Sequence, residues 1–122
     1  MAENYSIEYD NLMAGGVSPV VAKGVILRAG GVRIRGTVLG RVGEEDGIDI
    51  VDVVDSTKTD GSEKPYGILA DVAVDATNEN QRASVYLTGE FNRDALIFGG
   101  TDTVATHEPA MREVGIFVKT TV

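Results

Sequence analysis

Side chains able to do catalytic or metal chemistry are few in this chain, which has one histidine, His107, and no cysteine. Thiolate zinc sites and disulfides therefore cannot form, and a single histidine excludes zinc sites that need several. Ser62, Ser84 and Glu108 offer the remaining residue types of a serine hydrolase, but no GxSxG-type motif surrounds either serine. We expect His107 to be a capping or surface residue, and the chain not to be an enzyme.

Acidic side chains are abundant, with 19 Asp and Glu against 11 Lys and Arg and a formal net charge of −8. The run from Glu44 to Asp60 suggests a calcium loop, but it lacks the EF-hand spacing of oxygen ligands around a central glycine. Asp49, Asp52 and Asp55 fall at three-residue spacing, which scatters them over both faces of a strand. We expect a solvated acidic face there, with no metal and no cofactor. Hydrolysis by a carboxylate pair stays open, because so many acids always offer pairs.

The negative charge lies in the second part of the chain. Residues 1–43 hold five basic and three acidic side chains, whereas residues 44–122 hold six basic and sixteen acidic ones. This balance argues against binding duplex nucleic acid, which needs a basic footprint, and neither glycine-rich phosphate-binding motif occurs. Arg33 and Arg35 lie at i and i+2 and so share one face of a strand. We expect that face to be solvated or to meet an acidic protein partner.

The elements that position these side chains are predicted to be mostly strands. Val, Ile and Thr, which pack well on a pleated sheet, dominate the sequence, and 15 glycines separate short apolar runs. Asn92 and Thr106 are each expected to cap a short helical turn, giving one or two short helices. No apolar run is long enough to span a membrane. The predicted strands are 24–28, 31–39, 47–54, 66–74, 82–91 and 114–120.

The first 23 residues differ from the rest, and we interpret them as an N-terminal arm, flexible when free, that precedes one β-rich domain at 24–122. They lack the basic and apolar regions of a secretory signal. Tyr5, Ile7 and Tyr9 alternate with polar residues, as in a strand that could add to the sheet edge of another chain. A frayed tail, or an edge strand of the same domain, explains this pattern equally well.

The clearest local signature lies between Asp60 and Phe91. It reads DGSEKPYGILADVAVDA, then the polar gap TNENQR, then ASVYLTGEF. Together with GTVLG at 36–40 and MREVGIFV at 111–118, its order and spacing resemble the bacteriophage lambda head decoration protein D family over residues 24–120.

The resemblance implies a capsid decoration (cement) protein with a β-clip-type body, no catalysis and no cofactor. Members of that family bind the exterior of the expanded phage head as trimers at three-fold and quasi-three-fold sites. They brace the shell against DNA pressure, and their N-terminal arm orders on capsid binding. The implied partners are the major capsid protein and further copies of the chain itself, with no direct nucleic acid and no membrane.

On this interpretation the protein is made in the bacterial host cytoplasm and resides on the outer surface of the phage head. As a further hypothesis, two arginines add charge contacts to the shell. The predicted shell contacts of the arm are Tyr5, Ile7, Tyr9, Leu12 and Met13, and the two arginines are Arg33 and Arg35.

Two other functions stay open at this point. One is a β-rich binding module of a tail fibre or cell surface that recognises glycan or protein. The other is a small hydrolase that uses His107 or a carboxylate pair. Binding of glycans by a monomer would favour the module, and a functional loss in His107→Ala would favour the hydrolase.

Overall fold

A computed structural model describes residues 12–14 and 19–120 of the 122-residue chain. The fold of these residues is mostly β, as predicted, with one 3₁₀ turn and one α-helix. In chain order the elements are β1 (Val21–Leu27), β2 (Gly31–Ile34), β3 (Val38–Glu45), β4 (Ile48–Val53), β5 (Gly67–Leu69), β6 (Ala73–Ala76), β7 (Gln81–Asn92), the 3₁₀ turn (Arg93–Ala95), α1 (Val104–Glu113) and β8 (Ile116–Lys119).

The main sheet closes on itself. Its order is β1-β4-β3-β5-β7-β8, and β1 also pairs with β7, so that five strands form a small barrel from which β8 extends. β1 runs antiparallel to β7 along its whole length and parallel to β4 at its end. β8 pairs in parallel with the second half of β7. Closure leaves the barrel strands few free edges, which are the usual sites of unwanted pairing.

β2 and β6 stand apart from the barrel as a two-stranded antiparallel ribbon. Two turns that were not predicted from the sequence separate this ribbon from its neighbours. The predicted strand 31–39 breaks at Gly36, whose φ of +99° suits glycine, and the chain continues as β3 to Glu45. The predicted strand 66–74 is interrupted at residues 70–72, so that it forms β5 and β6 as separate strands.

The buried apolar side chains form two clusters. The first comes chiefly from the barrel strands and contains Val25, Leu27, Leu39, Val51, Leu69, Ala76, Ala83 and Val85. The second joins β7 to α1, β8 and the segment before β1, and contains Leu12, Val38, Val54, Ile68, Phe91, Met111 and Ile116. Adjacent residues of β3 and of β5 supply both clusters, because successive side chains of a strand point to opposite faces.

Of the two predicted helical turns, the one capped by Asn92 is confirmed, whereas the predicted start of the second one is wrong. Asn92 caps the 3₁₀ turn, since its side-chain oxygen accepts a hydrogen bond from Asp94 N–H at 3.1 Å. The second element begins three residues earlier than predicted, with Thr103 as N-cap and Thr106 Oγ accepting from Thr103 N–H at 3.1 Å. It continues through Pro109 as a ten-residue helix. In the described ranges, no helix has the length and apolarity needed to cross a membrane.

Candidate functional site

The segment Leu12–Ala14 lies on β7 as a short antiparallel partner. Asn92 N–H donates to Leu12 O at 2.6 Å, and Ala14 N–H donates to Glu90 O at 2.9 Å. The side chain of Leu12 is only 2% exposed and belongs to the second apolar cluster. The chain is therefore fixed to the body at this point, before β1 begins.

The place of Leu12 in the fold follows from this pairing. Because the segment is antiparallel to β7, Leu12 lies beside Asn92, next to the 3₁₀ turn Arg93–Ala95. The turn after β2 lies at the same place, since a Cβ added at Gly36 would meet the Ala95 carbonyl and would lie 3.7 Å from Leu12 Cδ1. Leu12 and the β2 turn thus lie at the same end of the molecule.

The five arm residues predicted to contact the shell divide into two groups. Tyr5, Ile7 and Tyr9 lie outside the described residues. Leu12 is buried in this chain's own core, and Met13 is half-buried against the same cluster. Leu12 therefore fixes the base of the arm to the body.

The outward face of β2 is apolar, contrary to the expectation of a solvated arginine face. Val32 is 54% exposed and Ile34 is 49% exposed, whereas Arg33 and Arg35 are half-buried. The sequence predicts that apolar and basic residues alternate along β2, but it does not predict which of the two sets faces outward. A two-stranded ribbon has no interior of its own, so the pattern alone does not say which face packs on the body.

The two arginines differ in their partners. Arg35 donates to Ala70 O at 2.5 Å and to Tyr86 Oη at 3.0 Å, and its guanidinium lies 5.3 Å from the centre of the Tyr86 ring. The guanidinium of Arg33 lies 4.0 Å from the carboxylate of Asp52, and its buried Nε has no hydrogen-bond partner. Arg35 is thus held within the body, whereas Arg33 has unused donor capacity.

The outward face of β2 continues into a shallow depression of about 300 Å³, which we call the ribbon groove. Its outer part is apolar, because Ile97 is also exposed beside Val32 and Ile34. The ribbon groove is lined by Val32, Arg33, Ile34, Thr37, Val53, Ile97, Phe98 and Gly99.

A second depression, of about 400 Å³, lies between the end of α1 and β8, and we call it the helix groove. It is lined by Pro109, Arg112, Glu113 and Phe117. Phe117 is exposed, and so is the neighbouring Val114. The two grooves share no residue, so the molecule presents two separate apolar surfaces.

Asp49 does not belong to the solvated acidic face that was predicted for it. It is buried and accepts from Arg41 Nε at 2.7 Å, Lys23 Nζ at 2.9 Å and the Tyr66 hydroxyl. The hydrogen bond from Arg41, followed by those from Tyr66 and Lys23, holds the pKa of Asp49 well below its usual range. Since Asp49 faces inward on β4, this carboxylate links β1, β3 and β4.

Other acids of the same run are also bound internally. Arg28 donates to Asp52 at 2.7 Å and to Asp60 at 3.0 Å. The hydroxyl and N–H of Ser62, together with Arg28, lower the pKa of Asp60. These carboxylates hold the loop after β4 against the strand end. Within the described part of the chain, no group of three or more His, Asp or Glu side chains is placed to hold a metal ion.

His107 is buried, at 3% exposure, so the expectation of a capping or surface residue was wrong. Its Nε2 lies 2.7 Å from Asp102 Oδ2, and its ring stacks on Phe98 with centroids 5.6 Å apart. Ser56 Oγ also donates to Asp102, at 2.6 Å, and this bond, with His107, lowers the pKa of Asp102.

The order of these three hydrogen-bonded side chains, Ser56, Asp102 and His107, decides which chemistry they can do. A hydrolytic triad places the histidine between hydroxyl and carboxylate, so that it can take the hydroxyl proton. Here the carboxylate of Asp102 lies between Ser56 and His107. The hydroxyl is bound to an acid rather than to a base, which makes this a structural link between the loop after β4 and α1. These three side chains therefore do not form a hydrolytic triad at His107.

Comparison with known proteins gives one family match. The family described as Bacteriophage lambda head decoration protein D matches residues 2–116. The matched range includes the segment before β1, which the motifs quoted from the sequence did not cover. A search of the curated proteins finds no match.

Proposed function

Since the chain belongs to the bacteriophage lambda head decoration protein D family, we propose that it binds the exterior of the expanded phage head as trimers at three-fold sites. In this role it stabilises the shell against the pressure of the packaged DNA. Its partners are the major capsid protein and two further copies of itself. The observation that carries the proposal is the family match over residues 2–116, which spans both the arm and the body.

The fixed base of the arm supports this proposal mechanically. Leu12 is enclosed by the second apolar cluster, and its segment is hydrogen-bonded to β7. A force on the preceding residues therefore acts on the barrel through the hydrogen bonds between this segment and β7. Eleven residues precede Leu12, and an extended chain of that length reaches roughly 36–40 Å.

We propose that Tyr5, Ile7 and Tyr9 make the shell contacts by adding a strand to a capsid protein sheet. Backbone pairing of this kind supplies affinity, and alternate side chains supply specificity. Leu12 and Met13 then hold the strand to the body. Three arms on one trimer act together, so that weak single contacts give tight overall binding.

The hypothesis of arginine contacts to the shell receives less support. The guanidinium of Arg35 is occupied by Ala70 and Tyr86. Arg33 has free donor capacity, but Val32 and Ile34 are the exposed side chains of its strand. We therefore assign the shell contacts to the arm, and the charge contacts of the two arginines stay a prediction.

Deleting residues 1–11 tests the proposal. The truncated protein keeps Leu12 and should unfold at the same denaturant concentration as the full chain, because the deleted residues precede the buried leucine. It should fail to saturate expanded, undecorated heads in a pelleting assay. A matched control keeps the arm length but replaces Tyr5, Ile7 and Tyr9 by serine, and it should fail in the same way.

Two outcomes distinguish the proposed role of the arm from the proposed decoration function. If the truncated protein decorates heads as tightly as the full chain, the arm does not make the shell contact. If the full chain itself does not bind expanded heads, the proposed decoration function is wrong.

A further inference from the structure

The exposed apolar face of β2 needs an explanation that folding of a single chain does not supply. Val32 and Ile34 point outward beside Ile97, while the half-buried Arg33 lies on the inner side of the strand. Burying the arginines and exposing the β-branched residues is unfavourable for an isolated chain. A contiguous apolar surface rimmed by polar groups is typical of an interaction site.

The helix groove offers a surface of matching character. Phe117 is exposed there, Pro109 adds further apolar surface, and the exposed Val114 follows Glu113 in the chain. The carboxylate of Glu113 at this groove forms no ion pair or hydrogen bond with any described residue. It is an unpaired acid at the border of an apolar depression.

The charges of the two grooves are complementary. The ribbon groove carries Arg33, whose guanidinium lies 4.0 Å from Asp52, and Asp55 lines the adjoining depression. The helix groove carries Glu113 and Arg112. A contact between the two surfaces would pair opposite charges, Glu113 with Arg33 and Arg112 with Asp55, beside the apolar side chains.

We propose that the ribbon groove of one copy binds the helix groove of the next copy. This inference rests on the proposed trimer and adds the surfaces through which its copies meet. Two different patches in contact form a heterologous interface, which closes into a ring when the rotation between copies fits. In such a ring each patch is covered once, whereas a two-fold dimer through the ribbon groove would leave the helix groove exposed.

The occupant is a second copy because this chain itself supplies the complementary surface. Both the apolar residues and the opposite charges that the ribbon groove requires are present at the helix groove. The arm supplies a separate contact to the shell.

Engineered cysteines test the contact directly, because the natural chain contains no cysteine and gives no background. The double variant Ile34→Cys/Phe117→Cys is bound to expanded heads and treated with a short bis-maleimide linker. Both sites are exposed, so the variant should fold. The expected product is a covalent ladder that ends at three copies. Mixing the two single variants should give a cross-linked pair and no longer species.

The matched control replaces Ile34→Cys by Val72→Cys. Val72 is 75% exposed, is also apolar and lies in neither groove. The variant Val72→Cys/Phe117→Cys should give no ladder. A ladder of equal yield from this control would overturn the proposal, because the linking would then reflect crowding on the head.

Other outcomes also decide the proposal. Ile34→Cys alone giving cross-linked dimers would show a two-fold contact and overturn it. Loss of decoration in Ile34→Asp, without any cross-link between copies in the cysteine variant, would place the ribbon against the shell and leave the proposed function intact. If the full chain does not decorate heads at all, the same double variant is linked in concentrated solution, where a ladder supports the contact and its absence refutes it.

Discussion

The barrel and the β2–β6 ribbon use the same residue types in opposite ways. In the barrel, Val25 and Leu27 alternate inward into a closed core, and Asp49 is buried with three hydrogen-bond donors. In the ribbon, Val32 and Ile34 alternate outward, and the inner Arg33 has an Nε without a hydrogen-bond partner. A closed layer is complete by itself, whereas the ribbon has the features of a surface completed by another molecule.

The largest expected effect concerns the core. Phe91→Ala should lower the free energy of unfolding by about 3–5 kcal/mol, because it empties a fully buried site in the second cluster. Ile34→Ala on the ribbon should cost less than about 1 kcal/mol, since half of that side chain is already exposed. Urea unfolding monitored by circular dichroism measures both. Equal losses would contradict the distinction between body and ribbon.

The base of the arm should behave as part of the body. We expect Leu12→Ala to cost about 2 kcal/mol, the low end for a buried leucine, because its segment is held by only a short pairing with β7 and can relax. Met13→Ala, at the half-buried neighbour, should cost less. The comparison uses the same urea assay at neutral pH. A Leu12→Ala variant as stable as the parent would mean that the arm is not fixed at this residue.

The buried carboxylate of the barrel predicts a dependence of stability on pH. The pKa of Asp49 is lower in the folded chain than in the unfolded chain. Its contribution is therefore fully present above about pH 4, the unfolded value, and is lost as the pH falls through the folded pKa.

Asp49→Asn should accordingly cost about 1–2 kcal/mol at pH 7, because charge-assisted hydrogen bonds to Arg41 and Lys23 are lost. The difference from the parent should shrink when unfolding is repeated at pH 3. A difference that stays constant between the two pH values would show that Asp49 is not stabilised as a carboxylate. Glu44→Gln, at an exposed acid that also contacts Arg41, is the control and should have little effect at either pH.

The smallest expected effect concerns the ribbon cation. Arg33→Met should change the stability of a single chain by less than about 0.5 kcal/mol, because Arg33 makes only a 4.0 Å contact with Asp52. It should nevertheless weaken association between copies, measured by the yield of the three-copy ladder described above. A large loss of monomer stability would mean that Arg33 supports the body rather than a partner.

Strand composition and spacing were enough to predict a mostly β chain, the cap at Asn92 and the course of β7. The turn at Gly36 was missed because the apolar alternation of 31–39 continues through it, whereas the positive φ and the close approach to Ala95 that require glycine there are set by the fold. The length of α1 was missed because Pro109 suggested a first turn, whereas it lies in the second half of the helix. At Gly36 a contact distant in sequence thus decided the local structure.

The same limit applies to the candidate site. The sequence showed that Val32 and Ile34 oppose Arg33 and Arg35, but packing of the ribbon on the body decides which pair faces out. The roles of Asp49 and His107 likewise depend on partners 8 to 26 residues away for Asp49 and on Phe98 and Asp102 for His107. From the sequence, Leu12 was predicted to be one more arm residue, because its burial arises from residues that follow it by 26 or more positions in the chain.

A cryo-electron microscopy reconstruction of expanded, undecorated heads incubated with the full chain tests the central claim most directly. The account predicts added density on the outside of the shell at the three-fold positions, with three copies in each and the residues before Leu12 running onto the capsid protein. Heads without added density, or density placed away from the three-fold positions, would contradict it.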